Sequence, residues 1–336
     1  MANIKDVAKA SGYSIGAVSK ALNGYADVSE KAREKIQKVA NEIGYIPSSF
    51  GQTLAKQRSF TIGIIFEEIT GFGLAHPFFS ELLSAIKIEI ERNGYDIILL
   101  GKKVGPYVNS YLDHCIKKGV DGVIVLSGNI DEKNYQQLVN SSIPMVLIDA
   151  NNQTKNTVGT NNFTSTVNLV NYLKNKGHTK IGYIKGDLYS YVGKERYDGY
   201  IYAMKENNLE INEKYMYHAP KYAYEEGEWI AKQIASSKDY PTAILSVCDA
   251  TAIGLIKGLA EYGISVPNDI SVVGFDDIAL ARVVYPSLTT LSQNKQEIGK
   301  IAVSTLIHNI DDKTSEPVHY LLDGIIIERN SVKEIN

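Results

Sequence analysis

From Thr61 onward the chain alternates short β-branched runs with longer amphipathic ones, and this alternation limits the fold more than any other feature of the 336 residues. TIGIIF is followed by PFFSELLSAIKIEIERNG, DIILL by YVNSYLDHCIKKG, GVIVL by EKNYQQLVNSS, and PMVLID closes the first series. A second series runs from a helical stretch around Thr164 to Lys176 through KIGYI, a helix around Lys194 to Asn207, AILSV, ATAIGLIKGLAEYG and ISVVGF. Continuous apolar strands separated by helices are expected for parallel strands covered on both faces. Two series predict two doubly wound α/β units, because a single hydrophobic core stops growing near ~250 to 300 residues. Ligands of such sheets sit beyond the carboxyl ends of the strands, which directs attention to the loops after TIGIIF, AILSV and ISVVGF.

The residues before Thr61 follow a different period. Ile4, Val7, Ala8 and Ser11 share one helix face, and Gly12 ends that helix. Ser14 can cap a second helix carrying Ile15, Val18 and Leu22, which stops near Asn23 and Gly24. A third follows Ser29, with Ala32, Ile36, Val39, Ala40 and Ile43 on its inner stripe, and ends at Gly44. The formal net charge of −3 hides an asymmetry: residues 1–60 hold nine Lys or Arg against five Asp or Glu, which is +4 and leaves −7 for the rest. Positive charge concentrated on three short helices points to an anionic partner for that segment. The opening run IKDVAKASGYSIGAVSKALN fits a helix-turn-helix, whose second helix must come close to base edges in the major groove. Ser14, Ile15, Gly16 and Ala17 permit that approach, and Lys20 projects toward phosphate or base. A helical cap packed on the rest of the chain would explain the helices but not their small-residue face.

Other classes lack support. The N-terminus has no basic stretch leading into an apolar one, and no segment approaches the ~20 apolar residues of a membrane span, so a cytoplasmic protein is expected. Cys115 and Cys248 each lie in an apolar segment and read as two buried thiols, with no metal motif. Gly71-x-Gly73 suggests a dinucleotide loop, but His76 replaces the third glycine and no acidic residue ends the next strand. Gly193-Lys194 lacks the Ser or Thr and the upstream glycine of a phosphate loop, and no catalytic motif is present. Neither an enzyme nor a cofactor is expected.

IKDVAKASGYSIGAVSKALNG, VSEKAREKIQKVANEIGYIP and TIGIIF, continued by GFDD and SLTTLSQ, resemble the lac and galactose repressor (LacI/GalR) family over nearly the whole chain. The resemblance implies a helix-turn-helix head at residues 1–46, a hinge at 47–58 and a two-lobed periplasmic-binding-protein-like core at 59–336. Subdomain one would hold about 59–161 and 293–322, and subdomain two about 162–292 and 323–336. It also implies a homodimer on a pseudo-palindromic operator, with a small effector in the core shifting DNA affinity. Ile15, Gly16 and Lys20 match base-reading positions; Ile15 can touch a thymine methyl and Lys20 can donate to guanine. With Ser14, Ala17, Asn23 and the hinge residue Leu54, which matches a minor-groove wedge, they form the candidate DNA-binding set. Tyr13 stands where the family usually has Val, Ala17 where it has Thr, Ser48 where it has Asn, and Gly51 where it has a hinge-helix Ala. The Gly51 difference costs roughly 1 kcal/mol of helix propensity.

The same resemblance selects Arg196, Asp249 and Asp276 as effector contacts, and His76, Phe78, Phe79 and Tyr222 add faces and a polar edge, with Trp229 as a further aromatic. A donor fork, acidic acceptors and aromatic faces suit a neutral hydroxylated ligand, a mono- or oligosaccharide. Each residue also has a simpler reading: Arg196 in a surface ion pair, Asp249 capping the helix it begins, Asp276 pairing with Arg282, and HPFF starting a helix with Pro in its first turn. A repressor released by a sugar is the first expectation. A purine co-repressor of the same family, and a sugar-binding transport protein, are the alternatives. The tail after GIIIERN has no heptad run, so no tetramerising coil is expected.

Overall fold

The computed structural model describes residues 2–25, 27–45, 58–67, 72–104, 107–108, 110–127, 133–237 and 239–335. Ser48, Gly51 and Leu54 of the expected hinge, and Gly71 of the loop after the first strand, lie outside the described residues.

The N-terminal helices are α1 (Ile4–Ser11), α2 (Ile15–Leu22) and α3 (Glu30–Glu42). Asn3 caps α1 by accepting from the Lys5 and Asp6 amides, while the Asp6 carboxylate accepts from the Asn3 amide at 2.9 Å, which satisfies the exposed donors of the first turn. Gly12 ends α1 with φ of 75°, a conformation that costs a glycine little. Ser14 caps α2 through a 3.2 Å bond from the Ala17 amide. The three helices bury Val7, Ala8, Val18, Ala21, Ile36 and Ala40 against one another. Ala21 joins Val18 on the inward face of α2, and Leu22 packs on this core only partly buried. Ile15 is instead 46% exposed.

The remaining elements are, in chain order, β1 (Thr61–Phe66), α4 (Pro77–Arg92), β2 (Asp96–Leu100), the short antiparallel pair β3 (Lys103–Val104) and β4 (Tyr107–Val108), α5 (Tyr111–Lys118), β5 (Gly122–Ser127), α6 (Lys133–Val139), β6 (Met145–Ile148) and β7 (Asn156–Thr160). There follow α7 (Asn162–Asn175), β8 (Ile181–Lys185), α8 (Tyr191–Glu206), β9 (Met216–His218), α9 (Tyr224–Ser236), β10 (Ala243–Ser246), α10 (Asp249–Glu261), β11 (Ser271–Asp276) and β12 (Thr289–Ser292). The chain closes with α11 (Lys295–Asp311), β13 (His319–Leu322) and β14 (Ile325–Ile327).

Among the described residues these elements form two six-stranded sheets, ordered β13-β7-β6-β5-β1-β2 and β14-β12-β11-β10-β8-β9. The pairings from β13 across to β1, and those from β12 to β9, are parallel; β14 adds an antiparallel edge to the second sheet, a departure from the expected all-parallel pattern. Each sheet has its own core. Ile62, Ile64, Ile124 and Val146 of the first pack against Leu82 and Ile86 of α4 and Val303 and Leu306 of α11. In the second, one layer joins Ile244, Val272, Ile230 and Leu255, and the opposite layer joins Leu245, Phe275, Leu169 and Tyr200. The chain passes from one sheet to the other between β7 and α7, between β12 and α11, and between β13 and β14. Three crossings within a few residues of Thr160, Gln293 and Asp323 bring lone polar residues from distant sequence positions to the seam of the two lobes. Among the described residues no helix is long and apolar enough to cross a membrane.

Helices α9 and α10 approach unusually closely because glycines line their contact. A Cβ on Gly227 would stand 2.1 Å from the Thr251 carbonyl oxygen, and one on Gly254 would stand 1.9 Å from that of Tyr224. Both clashes are with backbone, so no rotamer change relieves them. Gly254→Ala is therefore expected to destabilise the core by about 1–3 kcal/mol, although alanine is the better helix former by ~1 kcal/mol. Urea unfolding checks this; an unchanged or raised midpoint would mean that the helices move apart at no cost.

Candidate functional site

The head leaves one face of α2 unfilled. Ser14, Ile15, Gly16 and Lys20 are exposed while Val18 and Ala21 are buried, so the helix touches its own domain along one edge only. Ala17 is half-buried. Asn23 is turned inward, its amide donating to the Ser19 carbonyl at 2.8 Å, which closes the end of α2. Tyr13 packs on the head core, and the Lys35 ammonium lies 5.5 Å from its ring centroid, so the substitution is absorbed by a cation over an aromatic face. A small, weakly charged, convex helix face has the shape that major-groove reading requires.

The second constellation lies at the seam of the lobes. Arg196, on α8, is only 4% exposed. Its Nε donates to Asn162 Oδ1 at 2.8 Å, its Nη1 donates to the Val247 carbonyl at 2.6 Å, and the guanidinium carbon stands 3.6 Å from the centroid of the Phe275 ring. Nη1 is also 3.8 Å from Asp276 Oδ1. That oxygen accepts from Gln293 Nε2 at 2.6 Å; Gln293 Oε1 accepts from the Thr160 hydroxyl at 2.5 Å; and the Asn162 amide donates to the Thr160 carbonyl at 3.0 Å. The circuit closes on itself and includes residues at two of the three crossings. The surface ion pair is not formed by Arg196, and Arg282 pairs with Asp277 at 3.6 Å and not with Asp276.

Asp249 begins α10 but caps nothing. Its carboxylate accepts from the Thr290 hydroxyl at 2.5 Å and the Ile278 amide at 2.9 Å, and it sits over Gly274, where a Cβ would fall 2.1 Å from Oδ1. Both of its oxygens thus tie β10, β11 and β12 together at their carboxyl ends. Asp149, which ends β6 with φ of 47°, is the matching group of the first lobe: it lies over Gly159 and accepts from the Thr160 amide at 2.9 Å. Burial pushes Asp249 up to about 7, with the neighbouring Asp276 carboxylate adding to the shift. Burial also raises Asp276 and Asp149, in each case against the pull of Arg196. Burial is the largest cause in all three, and it outweighs the opposing pull of Arg196 on Asp276 and Asp149 and of Lys295 on Asp276.

An aromatic frame stands beside this circuit. Phe72 meets Tyr224 edge to face at 5.8 Å, which joins the first lobe to the second, and His76 lies 5.7 Å from Phe72 and 4.9 Å from Phe79. Phe79 continues to Phe66 at 4.9 Å. Pro77 does open α4, as HPFF suggested, and that turn places His76 and Phe79 side by side. Phe78 turns the other way, is 6% exposed, and belongs to the core of the first lobe. Tyr222, at φ of 55°, directs its hydroxyl to Ser190 at 3.3 Å and fills the space left by Gly186. Trp229 is exposed on α9 and takes no part. Both thiols are buried and free; burial pushes each up to about 12. Sequence reasoning missed Asp149, Thr160, Asn162, Gln293, Phe72 and Tyr224. The strand-interior glycines Gly159 and Gly274 were the available signal, since each marks a carboxylate seated against the sheet.

Residues 3–48 match the profile of bacterial regulatory proteins of the lacI family, and residues 170–332 match a periplasmic binding protein-like domain. The HTH-type transcriptional repressor PurR of Vibrio vulnificus is 32% identical over 342 residues, covering 100% of each chain, and that of Vibrio campbellii is 33% identical with the same coverage. Among solved structures, the lac repressor dimer bound to operator and the anti-inducer ONPF superposes with a TM-score of 0.85 at 24% identity, covering 99% of each chain. The transcriptional regulator CelR in complex with cellobiose gives 0.71 at 24%, over 98% of this chain and 100% of that one. Both structural likenesses carry the fold.

The titration of Asp249 has a sign that can be measured. A carboxyl whose folded pKa is raised contributes stability below its unfolded value and loses it as pH rises through the folded value, here between the usual 3.8 and about 7. The thermal midpoint of Asp249→Asn relative to the unsubstituted protein is therefore expected to rise between pH 5 and pH 8, by about 3–6 °C or ~1–2 kcal/mol for a domain of this size. A difference that stays constant over that range would mean that Asp249 is ionised throughout.

Proposed function

The chain belongs to the lacI family of bacterial regulatory proteins, which are DNA-binding transcriptional repressors, and from that premise we propose how this member couples DNA to a small ligand. The head at residues 1–46 reads an operator through Ser14, Ile15, Gly16, Ala17 and Lys20. A hinge at 47–58 that includes Leu54 joins it to a core at 59–336, and two copies act together on a pseudo-palindromic site. Asn23 contributes by fixing the end of the reading helix, since its amide is already engaged. The protein works in the cytoplasm as a regulator and not as an enzyme.

The ligand sits at the lobe seam, bounded by His76, Phe79 and Tyr222. One observation carries this reading: among the described residues, Nη2 of Arg196 and Oδ2 of Asp276 take no protein hydrogen bond, although every other polar atom of the circuit is engaged. A donor beside an acceptor, framed by the Phe72–Tyr224 pair, matches an uncharged ring with an adjacent acceptor and donor on its edge. Such a ligand bridges both lobes and favours their closed arrangement, which shifts the population between DNA-competent and DNA-released dimers. Asp249 acts from behind, by holding the strand ends that present Asp276, and Phe78 supports the wall that carries Phe79.

Two ligand classes meet this description. The lactam edge of a purine base presents a carbonyl next to an N–H, and the whole-length PurR relatives favour that class; in this reading the ligand is a co-repressor that tightens DNA binding. Vicinal hydroxyls of a neutral sugar are the second reading, favoured by the number of carboxylate acceptors near the seam. Thermal-shift and calorimetric titration against hypoxanthine, guanine, neutral mono- and disaccharides and sugar phosphates separates them, since a ligand of the folded state raises its midpoint. Hypoxanthine or guanine is expected to bind, with Arg196→Met and Asp276→Asn each weakening binding by about 10-fold or more, the loss of a charge-assisted hydrogen bond. Binding of a neutral sugar alone would select the second reading. A response confined to sugar phosphates would exclude an uncharged ligand.

A further inference from the structure

Lys20 is the only basic residue of α2, and in this structure it is not free to meet DNA. Its ammonium is in hydrogen-bonding contact with the carboxylate of Asp27, seven residues on, in the loop before α3. Both side chains are exposed, 52% for Lys20 and 55% for Asp27. An ion pair so open to water adds little to stability, so folding does not explain why an acidic group stands beside the reading helix. Nor is the contact the accident of a loose loop. The Tyr25 amide donates to the Lys20 carbonyl at 3.1 Å, Arg33 Nη2 donates to the Tyr25 carbonyl at 2.8 Å, and Val28 packs on the head core. Tyr25 and Val28, which flank this stretch, are thus anchored to the head, and the Asp27 carboxylate lies within reach of Lys20.

We propose that Asp27 is a specificity-determining residue of the head: it occupies the Lys20 ammonium so that isolated phosphates do not, and yields it to a base edge that offers more than one acceptor. The proposal rests on the reading of α2 as the DNA-facing helix. Non-specific affinity is supplied by cations that neutralise phosphates and release counterions, and a lysine already paired with a carboxylate contributes no net charge to that exchange. A guanine presents O6 and N7 together in the major groove and can replace the carboxylate as the partner of the ammonium. Asp27 therefore lowers binding to arbitrary sequence more than binding to the operator. The loss of attraction falls where attraction carries no sequence information.

The test uses the full-length protein, a randomised duplex, and an operator selected from a random pool by the unsubstituted protein, with binding followed by fluorescence anisotropy across a salt series. Asp27→Asn is expected to bind the random duplex about 5-fold more tightly near 50 mM salt, to steepen the salt slope by about 0.9, and to reduce the operator-to-random ratio correspondingly. Asp27→Ser is the second variant, and far-ultraviolet circular dichroism verifies that the head stays folded. In a Lys20→Met background the same Asp27 substitutions are expected to change neither affinity nor slope. An unchanged salt slope in Asp27→Asn would overturn the proposal, as would an equal effect with and without Lys20, which would mark a general repulsion of DNA by the carboxylate. If Lys20→Met alone alters binding to neither duplex, the placement of Lys20 on DNA fails, and the proposal falls with it.

Discussion

A buried guanidinium needs acceptors on every side, and the core of this protein is arranged around that demand. Removing an arginine side chain from water costs several kcal/mol unless its hydrogens are met and its charge is countered. Arg196 meets most of the requirement with Asn162 just past the first crossing, the Val247 carbonyl at the end of β10, the face of Phe275, and Asp276 at the end of β11, and among the described residues leaves only Nη2 without a protein acceptor. No single lobe supplies all that the circuit contains, because Thr160 ends a strand of the first sheet while Arg196 and Asp276 belong to the second. The positions of the strand ends, the spacing of the crossings and the direction of the polar edge toward a ligand therefore follow from one charge.

The head handles charge in the opposite way. Its core consists of six buried small or aliphatic residues, too few to hold a charged side chain away from water, so its cations stay at the surface and their partners decide where they point. Lys20 and Arg33 are both directed by contacts in the α2–α3 loop, one through a carboxylate and the other through a carbonyl. The exposed face of α2 keeps an aliphatic side chain, Ile15, beside a single directed cation. In the proposed reading, such a face would give up electrostatic affinity and rely on shape, methyl contacts and one hydrogen-bonding group, which is what discrimination between sequences uses.

The fold was legible wherever a pattern repeats. β-branched runs became β1, β5, β6, β8, β10 and β11, and Gly12, Ser14 and Gly44 punctuated the head at the expected points. Periodicity does not state which sheet a strand joins, so β12, β13 and β14 were assigned to lobes through the family resemblance and not through their own residues. It also did not foresee that β14 runs antiparallel, because a three-residue edge carries no directional signal. Arg196 and Asp276 entered the candidate set through the family resemblance; Asp149, Asn162 and Gln293 stand alone in short connections, where a polar residue is the default and draws no attention. The carboxylate of Asp249 was placed on its helix by position in sequence, yet its partners come from residues 278 and 290, a relation that only the packed sheet creates.

The last crossing but one explains how the ligand edge and the lobe arrangement become a single variable. Asp276 and Asp277 have φ of 125° and 50°, values that disfavour a side-chain-bearing residue and persist only where surroundings hold them. Lys295 provides that hold: from the first turn of α11 its ammonium reaches the carbonyls of Asp276 at 2.7 Å and Asp277 at 3.1 Å. The same ammonium is countered by Glu81 of α4 at 3.0 Å, and Glu81 in turn accepts from the Ala279 amide at 3.3 Å. Both helices pack on the first sheet, whereas β11 belongs to the second. The backbone that aims the Asp276 carboxylate is thus gripped from the opposite lobe. Displacing one lobe relative to the other would change the aim of that carboxylate, and a ligand held there, as proposed above, would fix the displacement, so that binding at the seam would act on lobe geometry without any separate relay.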